Sequence, residues 1–212
     1  MDGSGAKSRL NALLLAAGLA ALDDETASQF EIYLSLFVRW NERLNLSAIR
    51  DEEGILSRHL IESISVAQAL PQGIATLLDF GSGAGLPGIP IALCRPEIAV
   101  TLAESQGKKA AFLHEAVRVL GLKSQVYAQR AETLREIFDC VILRAVDKMP
   151  KAAAAAVRLI APTGWLALMT TGTEIAQLRT AAGTQISWID PVKLPFGNNR
   201  IFARGRRISS AV

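Results

Sequence analysis

Up to about residue 70 the apolar positions recur at steps of three and four. Leu10, Leu13, Leu14 and Leu22 mark a first stripe within residues 8–22, and Phe30, Leu34, Phe37, Val38 and Leu44 mark a second. A third run extends from Glu52 to Leu70. This spacing places apolar side chains along one face of each of three α-helices. Pro71, Gln72 and Gly73 stop the third helix, and the period then changes: ATLLDF, AVTLAE, SQVYAQ, FDCVILRA and GWLALM are short apolar runs separated by helical stretches. That alternation predicts a parallel sheet with helices on both faces. The ending, ISWIDPVKLPFGNNRIFARGRR, holds two strand-like runs around a Gly-Asn-Asn turn with no helix between them, so it predicts an antiparallel hairpin that finishes the sheet. The chain divides accordingly into a helical extension, residues 1–70, and one compact unit, residues 71–212.

At 212 residues the chain can bury one good core but not two, and 50% hydrophobic with 20% charged residues excludes a disordered chain. Cys94 and Cys140 are isolated and accompanied by two histidines, which provides neither a disulfide framework nor a zinc constellation. A reducing, cytoplasmic location is expected. Residues 7–22 resemble a signal peptide, but Asn11 interrupts them. Residues 152–170 contain Arg158, Pro162 and Gly164, which suits a helix, a turn and a strand better than a membrane span. Charge is unevenly divided: residues 1–75 hold 6 Lys/Arg against 10 Asp/Glu, a net of −4, whereas residues 76–212 hold 17 against 10, a net of +7. An anionic partner is expected at the C-terminal two-thirds.

Ligands of open parallel sheets bind beyond the C-terminal ends of the strands. There the first strand delivers Asp79 and a loop with four glycines in eight positions, within LLDFGSGAGLPGIP at residues 77–90. The second delivers Glu104 and Ser105, the third Arg130 to Glu132, and the fourth Arg144. Gly83, Gly85 and Gly88 satisfy the G-x-G-x-x-G spacing of dinucleotide loops, and Glu104, 21 residues beyond Gly83, can accept the hydroxyls of a ribose. Pro87 and Pro90, however, delete two backbone donors where a pyrophosphate would need them. An adenosine cofactor without phosphates fits better, which points to S-adenosylmethionine. Asp79 can orient the loop or meet the methionine ammonium.

The stretch DFGSGAGLPGIP, followed by ESQGKKAAFL, QRAE and FDCVILRA, resembles the bacterial small-subunit ribosomal RNA methyltransferases of the RsmG, or GidB, family. WNERLNLSAI at 40–49, RHLIES at 58–63 and the late Leu-Pro and Arg-Ile-Phe extend the resemblance to about four-fifths of the chain. The resemblance implies a Rossmann-like S-adenosylmethionine-dependent methyltransferase fold, α/β, with a mostly parallel sheet, the C-terminal hairpin and the helical extension in front. It implies formation of 7-methylguanosine in 16S ribosomal RNA, free or in the small-subunit particle, by a monomer that needs no metal and no membrane. Matching positions imply that Gly81 and Leu86 contact the cofactor, with Ala131 and Glu132 beside the adenine and Arg144 completing the site. Asp79 and Gly83 belong to the same loop. Glu104 is commonly an aspartate in this family, and a longer acid needs a different backbone distance.

Guanine N7 carries an in-plane lone pair and no proton, so it can attack a sulfonium methyl directly and no general base is required. The chain indeed offers no convincing Ser/His/Asp or Cys/His arrangement. His59 reads as a structural hydrogen-bonding group and Trp40 as a core anchor. Lys108 and Lys109 at the start of a helix, with Arg204, Arg206 and Arg207 near the terminus, are the candidates for RNA contact; Lys108, Lys109 and Lys148 remain if the terminal arginines only solvate the surface. A dinucleotide oxidoreductase lacks a visible hydride-transfer acid here, and a non-catalytic RNA-binding module leaves the polar sheet edge unexplained. A methyltransferase of another RNA or of a small molecule is the nearest alternative.

Overall fold

The protein is described by a computed structural model covering residues 4–47, 49 and 52–208. Helix α1 (Ser4–Ala16) is shorter than the apolar stripe suggests. Asn11, the polar interruption, explains the return of the chain: its side chain donates to the Leu22 carbonyl and accepts from the Leu22 amide, so Leu22 is held beside the helix rather than in it. Helix α2 (Asp24–Leu44) starts at Asp23, whose carboxylate accepts from the Thr26 amide at 2.8 Å, and ends at Asn45 in the left-handed conformation. The third helical run is continuous but not uniform. It begins as α3 (Glu52–Ile55), widens into a single π turn at Leu56–Leu60 and resumes as α4 (Ile61–Ala69).

Five parallel strands follow: β1 (Thr76–Phe80), β2 (Ala99–Ala103), β3 (Gln125–Tyr127), β4 (Phe138–Arg144) and β5 (Ile160–Thr171). Between them run α5 (Gly88–Cys94), α6 (Gly107–Val119) and α7 (Met149–Ala156), with α8 (Ile175–Ala182) after β5. The C-terminal pairing is more broken than the single hairpin expected. Both β6 (Ile186–Trp188) and β7 (Val192–Lys193) pair antiparallel with β8 (Arg200–Arg207), because Asp190 and Pro191 interrupt what would otherwise be one long partner. The order is β3-β2-β1-β4-β5-β8-β6, with β7 paired to β8. The chain therefore leaves β1 toward β2 on one side and later returns to β4 on the other, which opens a crevice at their C-terminal ends.

Successive residues of each central strand point to opposite faces. Leu77 and Ile142 enter one core layer with Leu10, Phe30, Phe37, Ile64, Leu102 and Phe112, while Leu78, Val141 and Leu143 enter the other with Ala152, Leu166 and Leu178. The N-terminal helices thus share a core with the sheet. Trp40 packs edge-on against Phe112 with centroids 5.7 Å apart, the anchoring role expected of it. Tyr33, fully buried on α2, donates its hydroxyl to the Ala84 carbonyl at 2.6 Å and ties the helical extension to the glycine loop.

Candidate cofactor and substrate cleft

Beyond β1 the chain turns at Gly81, whose φ of +76° is a left-handed conformation; a Cβ there would stand 3.1 Å from a Val146 methyl. The amides of Gly81 and Ser82 donate to the Ala103 carbonyl at the end of β2, and the Gly83 amide donates to Glu104 Oε2 at 3.0 Å. Asp79 lies beneath the loop, 1% exposed, with Oδ2 accepting from the Gly88 amide at 3.0 Å. Burial pushes its carboxyl up to about 7. Asp79 does not line the cleft, so of its two expected roles the geometry fits the orientation of the loop. Gly88 is equally constrained, since a Cβ would come within 2.6 Å of Asp79 Oδ2 and 2.3 Å of a Leu102 methyl.

The start of α5 has its donors engaged. The Gly88 amide is on Asp79, the Ile89 amide on the Gly85 carbonyl, the Ile91 amide on the Pro87 carbonyl, and Pro90 has none. A pyrophosphate would find no open amide in this turn.

Two cavities meet at this sheet edge, one of about 440 Å³ and one of about 570 Å³, sharing Gly81, Glu104, Val146 and Asp147 in their walls. Gly83, Leu86, Lys109 and Arg144 line the first, and Ala131 and Glu132 line the second. The structure therefore brings together every expected cofactor residue except the buried Asp79. Glu104 stands between the two chambers, 7% exposed, and its other oxygen accepts from the Gln106 amide at 2.7 Å. The longer acid reaches back to hold both neighbouring loops, and each oxygen keeps a further lone pair.

The outer wall of the first cavity comes from the helical extension. Arg144 at the end of β4 donates to the Arg58 carbonyl (3.1 Å), His59 Nδ1 (2.8 Å), Ser63 Oγ (3.3 Å) and Glu62 Oε2 (3.3 Å). These four partners lie in the π turn or just after it, where the extra residue per turn aims the Arg58 carbonyl and the His59 ring at the same guanidinium. Glu62, 3% exposed at its side chain, also pairs with Arg200 Nε at 3.0 Å. Farther out, His59 Nε2 meets Ser47 Oγ at 2.7 Å, and Asn41 fixes that segment by accepting from the Ser47 amide and donating to the Ile49 carbonyl. The stretches WNERLNLSAI and RHLIES are thus the two halves of one wall, Ala48 of the first lying outside the described residues.

This arrangement has relatives. Residues 26–199 match the family described as rRNA small subunit methyltransferase G, GidB. The chain belongs to that family. A Ribosomal RNA small subunit methyltransferase G of Xanthomonas campestris pv. campestris (strain 8004) is 41% identical over 189 residues, 85% of this chain and 87% of the relative. Among solved structures, the mitomycin 7-O-methyltransferase MmcR matches with a TM-score of 0.60 at 17% identity, covering 81% of this chain and 60% of that one. M. jannaschii TYW2 in complex with AdoMet matches with a TM-score of 0.53 at 17% identity, covering 69% and 75%. These likenesses establish the Rossmann-like methyltransferase fold.

In this GidB-family chain the terminal arginines expected to contact RNA lie away from the cleft. The β5–β8 register pairs Thr171 with Arg200 at the cleft end and Trp165 with Arg206 at the opposite end. Arg204, Arg206 and Arg207 lie toward that far end and donate to the main-chain carbonyls of Ala69, Thr163 and Ile160. They brace strand and helix ends. The cleft mouth instead carries Lys109, Arg130, Lys148 and Lys151, with Lys108 exposed beside Lys109 on α6. Among the described residues no helix is long and apolar enough to cross a membrane.

Proposed function

We propose that this chain transfers a methyl group from S-adenosylmethionine to N7 of a guanine in 16S ribosomal RNA. The observation that carries the cofactor is the glycine loop: it turns tightly at Gly81, places Glu104 beside the cleft, and leaves no amide at the α5 start for a phosphate. Gly81, Gly83 and Leu86 would hold the methionine part, Glu104 the ribose, and Ala131 and Glu132 the adenine. When bound, the cofactor supplies an electrophilic methyl on a sulfonium. The chain's own part is positioning and exclusion of water, with Arg144 held by four partners rather than free to donate a hydrogen bond to N7.

Calorimetry tests the reading. S-adenosylmethionine or its homocysteine product should bind and NADH should not, and Gly81→Val should weaken binding at least tenfold while circular dichroism stays unchanged. Mapping of 7-methylguanosine in RNA from cells with and without the protein then tests the target; NADH binding, or a methyl group elsewhere, refutes the corresponding part.

The RNA surface is proposed to be the rim of the cleft. Alanine at Lys108, Lys109, Lys148 and Lys151 should lower the slope of log affinity against log salt by about 0.7–0.9 for each phosphate that is no longer neutralised. Arg206→Ala, at the far end of β8, should leave the slope unchanged. The opposite pattern would return the RNA to the terminal arginines.

A further inference from the structure

The π turn holds the His59 ring between Arg144 and Ser47. The Arg144 guanidinium has only donors, and its Nη2 lies 2.8 Å from His59 Nδ1, so Nδ1 must present its lone pair. Burial, reinforced by the Arg144 charge, pushes His59 down to about 3, which keeps the ring neutral. The single ring proton is therefore on Nε2 and is donated to Ser47 Oγ, 2.7 Å away. That oxygen also accepts from the Ile49 amide at 3.1 Å. Both lone pairs of the hydroxyl are occupied, and its own proton has no acceptor among the described residues. Ser47 lines the cleft with Leu46, His59, Leu86 and Arg144.

A serine hydroxyl can ordinarily either donate or accept, but here Arg144 and His59 leave it only the role of donor. We propose that Ser47 is a specificity-determining residue whose hydroxyl donates to O6 of the target guanine and selects guanine over adenine. The inference rests on the proposed methylation at guanine N7. On the base edge that carries N7 the only other acceptor is O6, and N7 must keep its lone pair for the methyl group. Adenine presents an amine at the O6 position, so its hydrogens would face a hydroxyl that cannot turn round to accept them. A site built around a hydrogen bond rejects the analogue that lacks the partner, because a buried polar group is then left unpaired.

The test uses the full chain and small-subunit RNA joined by ligation so that the target nucleoside is guanosine, inosine, which keeps O6, or 2-aminopurine riboside, which lacks it. Methylation of guanosine at N7 by the parent protein is measured first; its failure would refute the broader reading rather than this one. Given that activity, the parent should use inosine nearly as well as guanosine and lose roughly tenfold or more in kcat/KM on 2-aminopurine riboside. Ser47→Ala should show a similar loss on guanosine and no further loss on 2-aminopurine riboside. Ser47→Thr should restore most of the rate, and all three proteins should bind S-adenosylmethionine within twofold of one another by calorimetry. The proposal is overturned if Ser47→Ala matches the parent on guanosine, if the losses from variant and analogue multiply, or if Ser47→Ala weakens cofactor binding, which would assign the hydroxyl to the cofactor.

Discussion

Glu62→Ala is expected to destabilise the fold by about 3–5 kcal/mol and to stop methyl transfer. Glu62 is 3% exposed at its side chain, with Arg144 at 3.3 Å and Arg200 at 3.0 Å on its two oxygens. Its removal leaves two cations facing each other, and the side chain of Arg144, 8% exposed, is too buried for water to take the place of the carboxylate. The same carboxylate links α4 to the ends of β4 and β8, so its removal would loosen the wall that carries His59 and Ser47. Chemical denaturation should show a lower midpoint at unchanged m-value, and Glu62→Gln, which keeps an acceptor, should fall between the variant and the parent. A loss below about 1 kcal/mol would mean that the two arginines are hydrated well enough to stand alone.

The parts of this site legible in the sequence are those whose chemistry is local. A loop that must turn left-handed at Gly81 and pack its start against Asp79 and Leu102 uses glycine, and a helix start with few amides uses proline. Glu104 and the Ala131–Glu132 pair follow from strand ends alone, since the period change marks where each strand stops. The outer wall is different. Arg144 meets Ser63 across 81 positions and Arg58 across 86, and nothing in Leu-Ser-Arg-His-Leu announces a π turn. Only the family resemblance of the two stretches hinted that they belonged together. The terminal arginines show the complementary weakness: a count of charges gives the sign of the surface but not its direction. The β5–β8 register decides that, setting Arg200 beside the cleft and sending Arg206 to the far edge.

Stability should fall as pH rises from about 4 to about 7, and Asp79→Asn should remove much of that fall. Asp79 is 1% exposed, and burial raises its carboxyl to about 7 from 3.8 against the smaller opposing effects of the Ser82 and Gly88 hydrogen bonds and the Arg144 charge. The native state thus holds the proton more tightly than the unfolded chain. Its contribution is fully present below the unfolded value and is lost as pH rises through the folded value, with no further change above it. Three pH units at 1.36 kcal/mol each set an order of magnitude of about 4 kcal/mol. Urea titrations at pH 5, 6 and 8 on parent and variant isolate this group, because every other carboxylate is common to both. Parallel pH profiles would refute the assignment. The asparagine oxygen can still accept from the Gly88 amide, so the variant should keep the loop closed and gain relative to the parent at pH 8. If cofactor affinity also survives in Asp79→Asn, the residue acts by holding the start of α5 and not through a charge offered to the ligand.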